Sequence, residues 1–136
     1  MRSAVILAGG NSRRLGAEKS LLEFGGKPLI CWTIEKLNLA ADEVIVVARS
    51  KDHAEHLKKL AIEAVFAWDS VEGYGPVAGL DAGMRRAKGS LVFATGCDLP
   101  FLNLQVIEKL FDLAQKEEGF DATVPLQPNG DRKSVV

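Results

Sequence analysis

The segment Leu7–Lys19 (LAGGNSRRLGAEK) combines glycines and cations directly after a short apolar run. Gly9 and Gly10 lack a Cβ, so backbone amides at this point can approach a polyphosphate closely. Charge-assisted hydrogen bonds from neighbouring cations would strengthen the same contact. Those cations are Arg13, Arg14 and Lys19. The segment therefore predicts a phosphate-binding loop; an ordinary turn with surface arginines is the alternative.

The glycine spacing differs from that of the two commonest phosphate loops. Gly9 and Gly10 are adjacent and the next glycine is Gly16, so the GxGxxG pattern is not met. The GxxxxGK(S/T) pattern fails as well, because Ala17 stands where that pattern requires lysine. We therefore expect a phosphate loop of a third kind.

An acidic turn, Cys97–Pro100 (CDLP), follows another apolar run. The Asp98 carboxylate is a suitable ligand for Mg²⁺, an ion that commonly bridges phosphate oxygens. Asp98 serving as a turn or helix cap is the alternative. Ligands of open α/β sheets bind beyond the carboxyl ends of the strands, where this turn and the glycine-rich loop would meet. Their expected proximity favours the metal role.

A third candidate segment is Asp69–Gly79 (DSVEGYGPVAG), also at a strand end. Gly75 and Gly79 flank the start of the following helix, where a flat base or a ribose can approach the backbone. Asp69 can accept hydrogen bonds from ribose or base donors. A flexible surface loop in which Asp69 caps the turn is the alternative.

Other side chains that can bind metals or react are given no functional role. His53 and His56 lie three residues apart on a polar helix without a further ligand nearby, so we expect a solvent-exposed face. Cys97 has no evident histidine partner, which argues against nucleophilic catalysis. We expect Trp32 and Trp68 to pack against the core or its rim.

Composition limits the classes of protein to which the chain can belong. Its 136 residues fit one domain over residues 1–136, and 47% hydrophobic residues suffice for a core. A net charge of −1 argues against nucleic-acid binding, although Lys27 extends the local run of cations after Gly10. Two cysteines without a CxxC pair, and no targeting or membrane-spanning segment, predict a cytoplasmic protein that binds no membrane.

Short β-branched runs alternate with amphipathic segments along the chain. Strands are expected at Ser3–Ala8, Glu43–Ala48, Ala64–Ala67, Leu91–Thr95 and Ala122–Val124. Helices are expected from Pro28 through at least Leu37, over Asp52–Leu60, from Pro76 to about Ala87, and over Leu104–Gln115. The alternation predicts an α/β fold of three layers (α/β/α) with a mostly parallel sheet. A strand that begins near Ser134 suggests that the complete functional unit is longer than this sequence.

Four segments together resemble the molybdenum cofactor guanylyltransferase family, within the nucleoside-triphosphate transferases. They are the glycine-rich Leu7–Lys19, Gly26–Leu29 (GKPL), Gly75–Gly79 (GPVAG) and Cys97–Pro100 (CDLP), in the order of the family. The resemblance covers the chain to about residue 102. It implies the Rossmann-like fold of nucleotide-diphospho-sugar transferases, and it implies that the family's C-terminal acceptor-binding portion is largely missing.

The resemblance also implies roles for single residues. Leu7, Ala8 and Gly9 would contact GTP through their backbone, and Lys19 would contact its phosphates. Asp69 would contact the nucleotide, and Asp98 would ligate Mg²⁺. The chain departs from the family after the second strand, where an asparagine is common but Val47, Ala48 and Arg49 stand here.

The function implied is transfer of GMP from GTP to the phosphate of molybdopterin, with release of pyrophosphate. Lys19, Arg14 and Asp98 are the expected catalytic residues, and proteins of molybdoenzyme maturation are the expected partners. Alternatives are a CTP-dependent transferase, a transferase with a cobamide precursor or sugar phosphate as acceptor, and a nucleotide-binding module without catalysis.

Overall fold

The computed structural model describes residues 1–9, 23–60, 63–68, 75–97, 103–116, 119 and 122–123. Its strands are β1 (Arg2–Leu7), β2 (Glu23–Phe24), β3 (Lys27–Pro28), β4 (Glu43–Ala48), β5 (Val65–Trp68) and β6 (Leu91–Gly96). Its helices are α1 (Leu29–Ala40), α2 (Lys51–Lys58), α3 (Gly75–Arg86) and α4 (Leu104–Lys116). Among these helices, none is both long and apolar enough to cross a membrane.

Four strands form a parallel sheet in the order β5-β4-β1-β6. In register, Leu7 pairs with Val47 on one side and with Gly96 on the other. The central strands are continuous apolar runs because both faces of a parallel sheet are covered by helices. The predicted α/β class and parallel sheet are confirmed.

Helices cover the two faces of the sheet and complete the three layers. One face packs against apolar residues of α1, α2 and α4, among them Ile34, Leu57 and Phe111. The other face, with Val5, Ile45 and Val47 at its centre, packs against α3. Alternation of side chains along β1 separates the two sets, since Ala4 and Ile6 face the first and Val5 the second.

A short antiparallel hairpin of β2 and β3, which sequence analysis missed, precedes α1. Gly25 and Gly26 form its turn with φ of 60° and 88°, values that glycine adopts without strain. A Cβ at Gly25 would lie 3.1 Å from Trp32 of α1, so the hairpin packs directly on that ring. Lys27 stands 3.9 Å from the centroid of the same ring and forms an ion pair with Glu35.

Most expected elements are present with ends displaced by one or two residues, the usual scatter. Two expectations were wrong. Gly75 belongs to α3 rather than to the preceding loop. Ala122 and Thr123, expected to begin a fifth parallel strand, are in neither helix nor strand, and Val124 lies outside the described residues.

Candidate functional site

The predicted site begins where β1 and β4 end side by side. The Ala8 amide donates a 2.9 Å hydrogen bond to the Val47 carbonyl, which extends the parallel ladder one residue past β1. Gly9 follows immediately, and a Cβ added there would lie 3.2 Å from both Cα and N of Arg49. The absent side chain therefore lets the start of the glycine-rich loop lie against the backbone of the turn after β4.

The first turns of α3 lie beside the same strand ends. A Cβ added at Gly79 would be 3.4 Å from Leu7 Cδ2 and 3.7 Å from Val47 Cγ1. Gly75 begins the helix four residues earlier. The structure thus brings together Leu7, Ala8 and Gly9 with Gly79, which sequence analysis had assigned to one site from two distant segments.

Helix α3 reaches this position because of a second glycine on the same face. A Cβ at Gly83 would lie 2.6 Å from Val5 Cγ1 and 2.9 Å from Val47 Cγ2, closer than carbon atoms approach without a clash. Sequence analysis did not select Gly83. Its spacing of four residues from Gly79 is a signal for a close helix–sheet contact.

The end of β6 adjoins the end of β1 on the side opposite β4. Gly96 pairs with Leu7, and Asp98 follows Gly96 by two residues as Gly9 follows Leu7. Asp98 itself lies outside the described residues. Its proximity to the glycine-rich loop and its role as a Mg²⁺ ligand therefore stay predictions.

Several predicted site residues lie outside the described residues, and their roles stay predictions. They are Gly10, Arg14, Lys19, Asp69 and Asp98, together with Arg13 of the cationic run. Lys27, the last of those cations, contacts Trp32 and Glu35. Its charge is therefore engaged with α1.

The expectation that His53 is on a solvent-exposed face was wrong. Its side chain is 5% exposed, whereas His56 is exposed as expected. His53 Nδ1 accepts a 3.0 Å hydrogen bond from the Arg49 amide, and the His53 amide donates to Ser50 Oγ at 3.2 Å. The polar composition of α2 gives no sign of the hydrogen bond to Nδ1, because its donor is a backbone amide in the turn before the helix.

The residues that the structure describes include no metal centre, because no three of their His, Cys, Asp or Glu side chains are grouped to hold a metal ion. Burial raises the pKa of the Cys31 thiol, with Lys27 opposing and Glu35 adding to the shift. Thr95, which pairs with Ile6 in the sheet, has a buried hydroxyl without a hydrogen-bond partner among the described residues.

Comparison with known proteins identifies the family to which the chain is similar. The family model of the MobA-like NTP transferase domain matches residues 4–136. A probable molybdenum cofactor guanylyltransferase of Methanosarcina acetivorans is 38% identical over 130 residues, which are 91% of this chain and 56% of that protein. The chain spans 56–57% of the length of the first three curated relatives it matches.

Solved structures agree with the fold. Molybdopterin-guanine dinucleotide biosynthesis protein A from Archaeoglobus fulgidus is 35% identical, with a TM-score of 0.80 over 99% of this chain and 66% of its own. CMP:2-keto-3-deoxy-manno-octonic acid synthetase in complex with CTP shares the fold at 18% identity and a TM-score of 0.71, over 98% of this chain and 63% of its own. Since the family model covers nearly the whole sequence, the chain belongs to the family of MobA-like NTP transferase domains.

Proposed function

We propose that the chain binds GTP and Mg²⁺ at the carboxyl edge of its sheet and transfers GMP to the phosphate of molybdopterin. The observation that carries the proposal is the convergence of Gly9, Gly79 and Gly96 around the end of β1. These residues come from, or directly precede, the three segments expected to hold the nucleotide and its metal. The names of the relatives from M. acetivorans and A. fulgidus support guanylyl transfer as the reaction.

The ladder at the end of β1 limits how the backbone can contact a nucleotide. The Ala8 amide is already bonded to the Val47 carbonyl, so it is not available to a phosphate oxygen. A polar contact from the Ala8 backbone would therefore use its carbonyl oxygen, which suits the N–H donors of a base or the hydroxyls of a ribose. Phosphate contacts fall to residues after Gly9, where Arg14 and Lys19 supply positive charge.

In the proposed reaction, an oxygen of the acceptor phosphate forms a bond to the α-phosphorus of GTP. The bond from that phosphorus to the oxygen bridging the α- and β-phosphates breaks, and pyrophosphate leaves with the electron pair. Such transfers depend on alignment and charge neutralisation rather than on a covalent enzyme intermediate. Lys19 and Arg14 would hold the triphosphate in line, and the strand ends would fix the nucleoside.

Asp98 is the residue that would hold Mg²⁺, and when bound the ion supplies charge neutralisation on the phosphates. Asp69, which follows β5 directly in the sequence, would accept hydrogen bonds from the nucleoside. The protein would act in the cytoplasm, and its partners would be proteins of molybdoenzyme maturation.

A nucleotide panel tests the choice of donor. GTP, CTP, ATP and UTP would each be titrated into the chain by calorimetry, with and without Mg²⁺. We expect GTP to bind at least tenfold more tightly than the others, and we expect EDTA to weaken its binding. A preference for CTP would contradict guanylyl transfer, and absence of binding by all four would contradict the nucleotide site itself.

Product formation tests the reaction. GTP and molybdopterin would be incubated with the chain, and the dinucleotide and pyrophosphate would be measured together. One pyrophosphate per dinucleotide is expected. Tight GTP binding without any product would instead favour the nucleotide-binding module that lacks catalysis.

A further inference from the structure

We propose that His53 is a positioning residue for the nucleotide site, acting through the backbone of Arg49. The inference rests on the proposed function, since it assigns a role in holding the loop that would bind GTP. His53 is buried on α2 and does not belong to any of the four segments that resemble the family. Arg49 lies between its ring and Gly9, which is one of the residues expected to contact the nucleotide.

The chain of contacts has two steps. The Arg49 amide donates to His53 Nδ1 at 3.0 Å, so the ring holds the first residue after β4. Gly9 lies against that residue, at a distance that would leave a Cβ only 3.2 Å from Arg49 Cα. The position of the Arg49 backbone therefore sets the space in which Gly9 and the start of the nucleotide loop lie.

Helix α2 holds the histidine ring in place for this task. Ser50 caps the helix by accepting from the His53 amide at 3.2 Å, while the His53 side chain reaches back to the amide of Arg49. The pair is similar to a capping box, in which two residues exchange side-chain and backbone bonds at a helix start. An amide donor at Nδ1 also requires that Nδ1 carry no proton, so the bond assigns the hydrogen of a neutral ring to Nε2.

Ordinary helix capping is the competing explanation, and it predicts a different outcome on substitution. Capping alone would lower the stability of α2 and leave GTP affinity unchanged in the folded protein. Positioning predicts weaker GTP binding, because the binding-competent arrangement of Gly9 and Arg49 becomes less populated. The two explanations separate when affinity and thermal stability are measured on the same variants.

The central variant is His53→Phe, which keeps a ring but removes the acceptor. His53→Asn is the rescue variant, because its side-chain oxygen can take the place of Nδ1. Leu57→Ala is the matched control: it removes another buried side chain of α2, one turn farther from Arg49. We expect the Kd for GTP to rise roughly tenfold in H53F, the effect of losing about one net hydrogen bond, and by less than threefold in H53N and L57A.

Amide NMR of the chain without nucleotide provides a second readout. We expect the Gly9 and Arg49 amide resonances to move in H53F and to stay near their wild-type positions in L57A. Unchanged Gly9 resonances in H53F would overturn the positioning role, as would equal losses of GTP affinity in H53F and L57A. If H53F does not fold, His53→Ala replaces it in both measurements, and equal affinities of H53A and H53N would overturn the role.

This design separates the two proposals. If wild-type protein binds none of the four nucleotides, the proposed function fails, and the inference fails with it. If wild-type protein binds GTP and H53F binds it equally well, the inference fails while the proposed function stands.

Discussion

Backbone positions rather than charged side chains make up the described part of the site. Leu7 and Ala8 hold the end of β1 in the sheet, and Gly9 provides space against Arg49. In the proposed function, the charges that act on the phosphates come from residues that follow Gly9 and Gly96 in the sequence. Among those, Lys19 and Asp98 are the two whose loss would affect the proposed transfer most directly.

Lys19→Ala and Asp98→Ala are each expected to reduce turnover by roughly two orders of magnitude or more. Lys19 would supply positive charge to the transferring phosphates, and Asp98 would hold the Mg²⁺ that neutralises them. Dinucleotide formation at saturating GTP would be measured, with circular dichroism as the check on folding. Lys116→Ala and Glu55→Ala are matched controls on exposed helix positions. Turnover like that of wild type in either site variant would refute its catalytic assignment.

The sequence places Gly9 directly after an apolar strand, where its missing side chain was expected to admit a polyphosphate, and that role stays a prediction. The structure shows that Gly9 also lies against the backbone of Arg49, a contact that the adjacent glycines did not reveal. His53 was misjudged because its partner is a backbone amide, which no residue type reveals. The buried hydroxyl of Thr95, which has no hydrogen-bond partner among the described residues, was not predicted either, since burial of a strand's last polar residue depends on tertiary packing.

Among the elements, α3 matters most for the shape of the site. Two glycines on its inner face, Gly79 and Gly83, bring it close to β1 and β4. They differ in the space available. A Cβ at Gly79 meets ordinary contacts from 3.4 Å, whereas a Cβ at Gly83 would lie 2.6 Å from Val5.

Gly83→Ala is therefore expected to destabilise the protein. Overpacking costs about 1–3 kcal/mol, and better helix propensity returns about 1 kcal/mol, so the net loss is about 1 kcal/mol. That corresponds to a Tm lower by about 4 °C. Gly79→Ala is the matched control in the same helix and should leave Tm unchanged or slightly higher. A G83A protein at least as stable as G79A would show that α3 does not pack as tightly as described.

Elements of four or more residues were predicted to within one or two residues at their ends, and two-residue strands were not predicted. The apolar run Glu43–Ala48 is a strand with the expected bounds, since its length and composition leave few alternatives. The β2–β3 hairpin has strands of two residues, too short to show a period. Only the paired glycines Gly25 and Gly26 indicated a turn there. The strand expected at Ala122–Val124 is the opposite error, since Ala122 and Thr123 are in neither helix nor strand.

In the whole molecule, the two ends of the parallel strands have different roles. The candidate site lies at their carboxyl ends, and a polar network links the strands at their amino ends. There, Ser3 of β1 donates to Glu43 of β4 at 2.5 Å and accepts from the Gly89 amide at 2.8 Å. The Lys88 amide donates to the same carboxylate at 2.6 Å. The network joins the starts of β1 and β4 to the turn before β6, at the opposite ends of the strands from the candidate site.

This network predicts how stability depends on pH. Burial alone would raise the pKa of Glu43, but hydrogen bonds from Ser3, Lys88 and Gly89, with the Lys88 charge, lower it below its ordinary 4.5. Its contribution is therefore fully present above pH 4.5, the pKa expected in the unfolded chain, and disappears as pH falls through the lower folded pKa. Glu43→Gln removes the charge and should cost about 1 kcal/mol at neutral pH, because the carboxylate is half-buried and partly screened.

Thermal unfolding from pH 7 to pH 3 checks this expectation. The difference in Tm between wild type and E43Q should be constant near neutral pH and should close below pH 4.5. Glu55→Gln, an exposed change on α2, controls for net charge and should track wild type throughout. GTP affinity at neutral pH should be equal in E43Q and wild type, because Glu43 lies at the edge opposite the site. A difference in Tm that widens on acidification would mean that Glu43 is not stabilised as a carboxylate, and weaker GTP binding in E43Q would mean that the two edges are coupled.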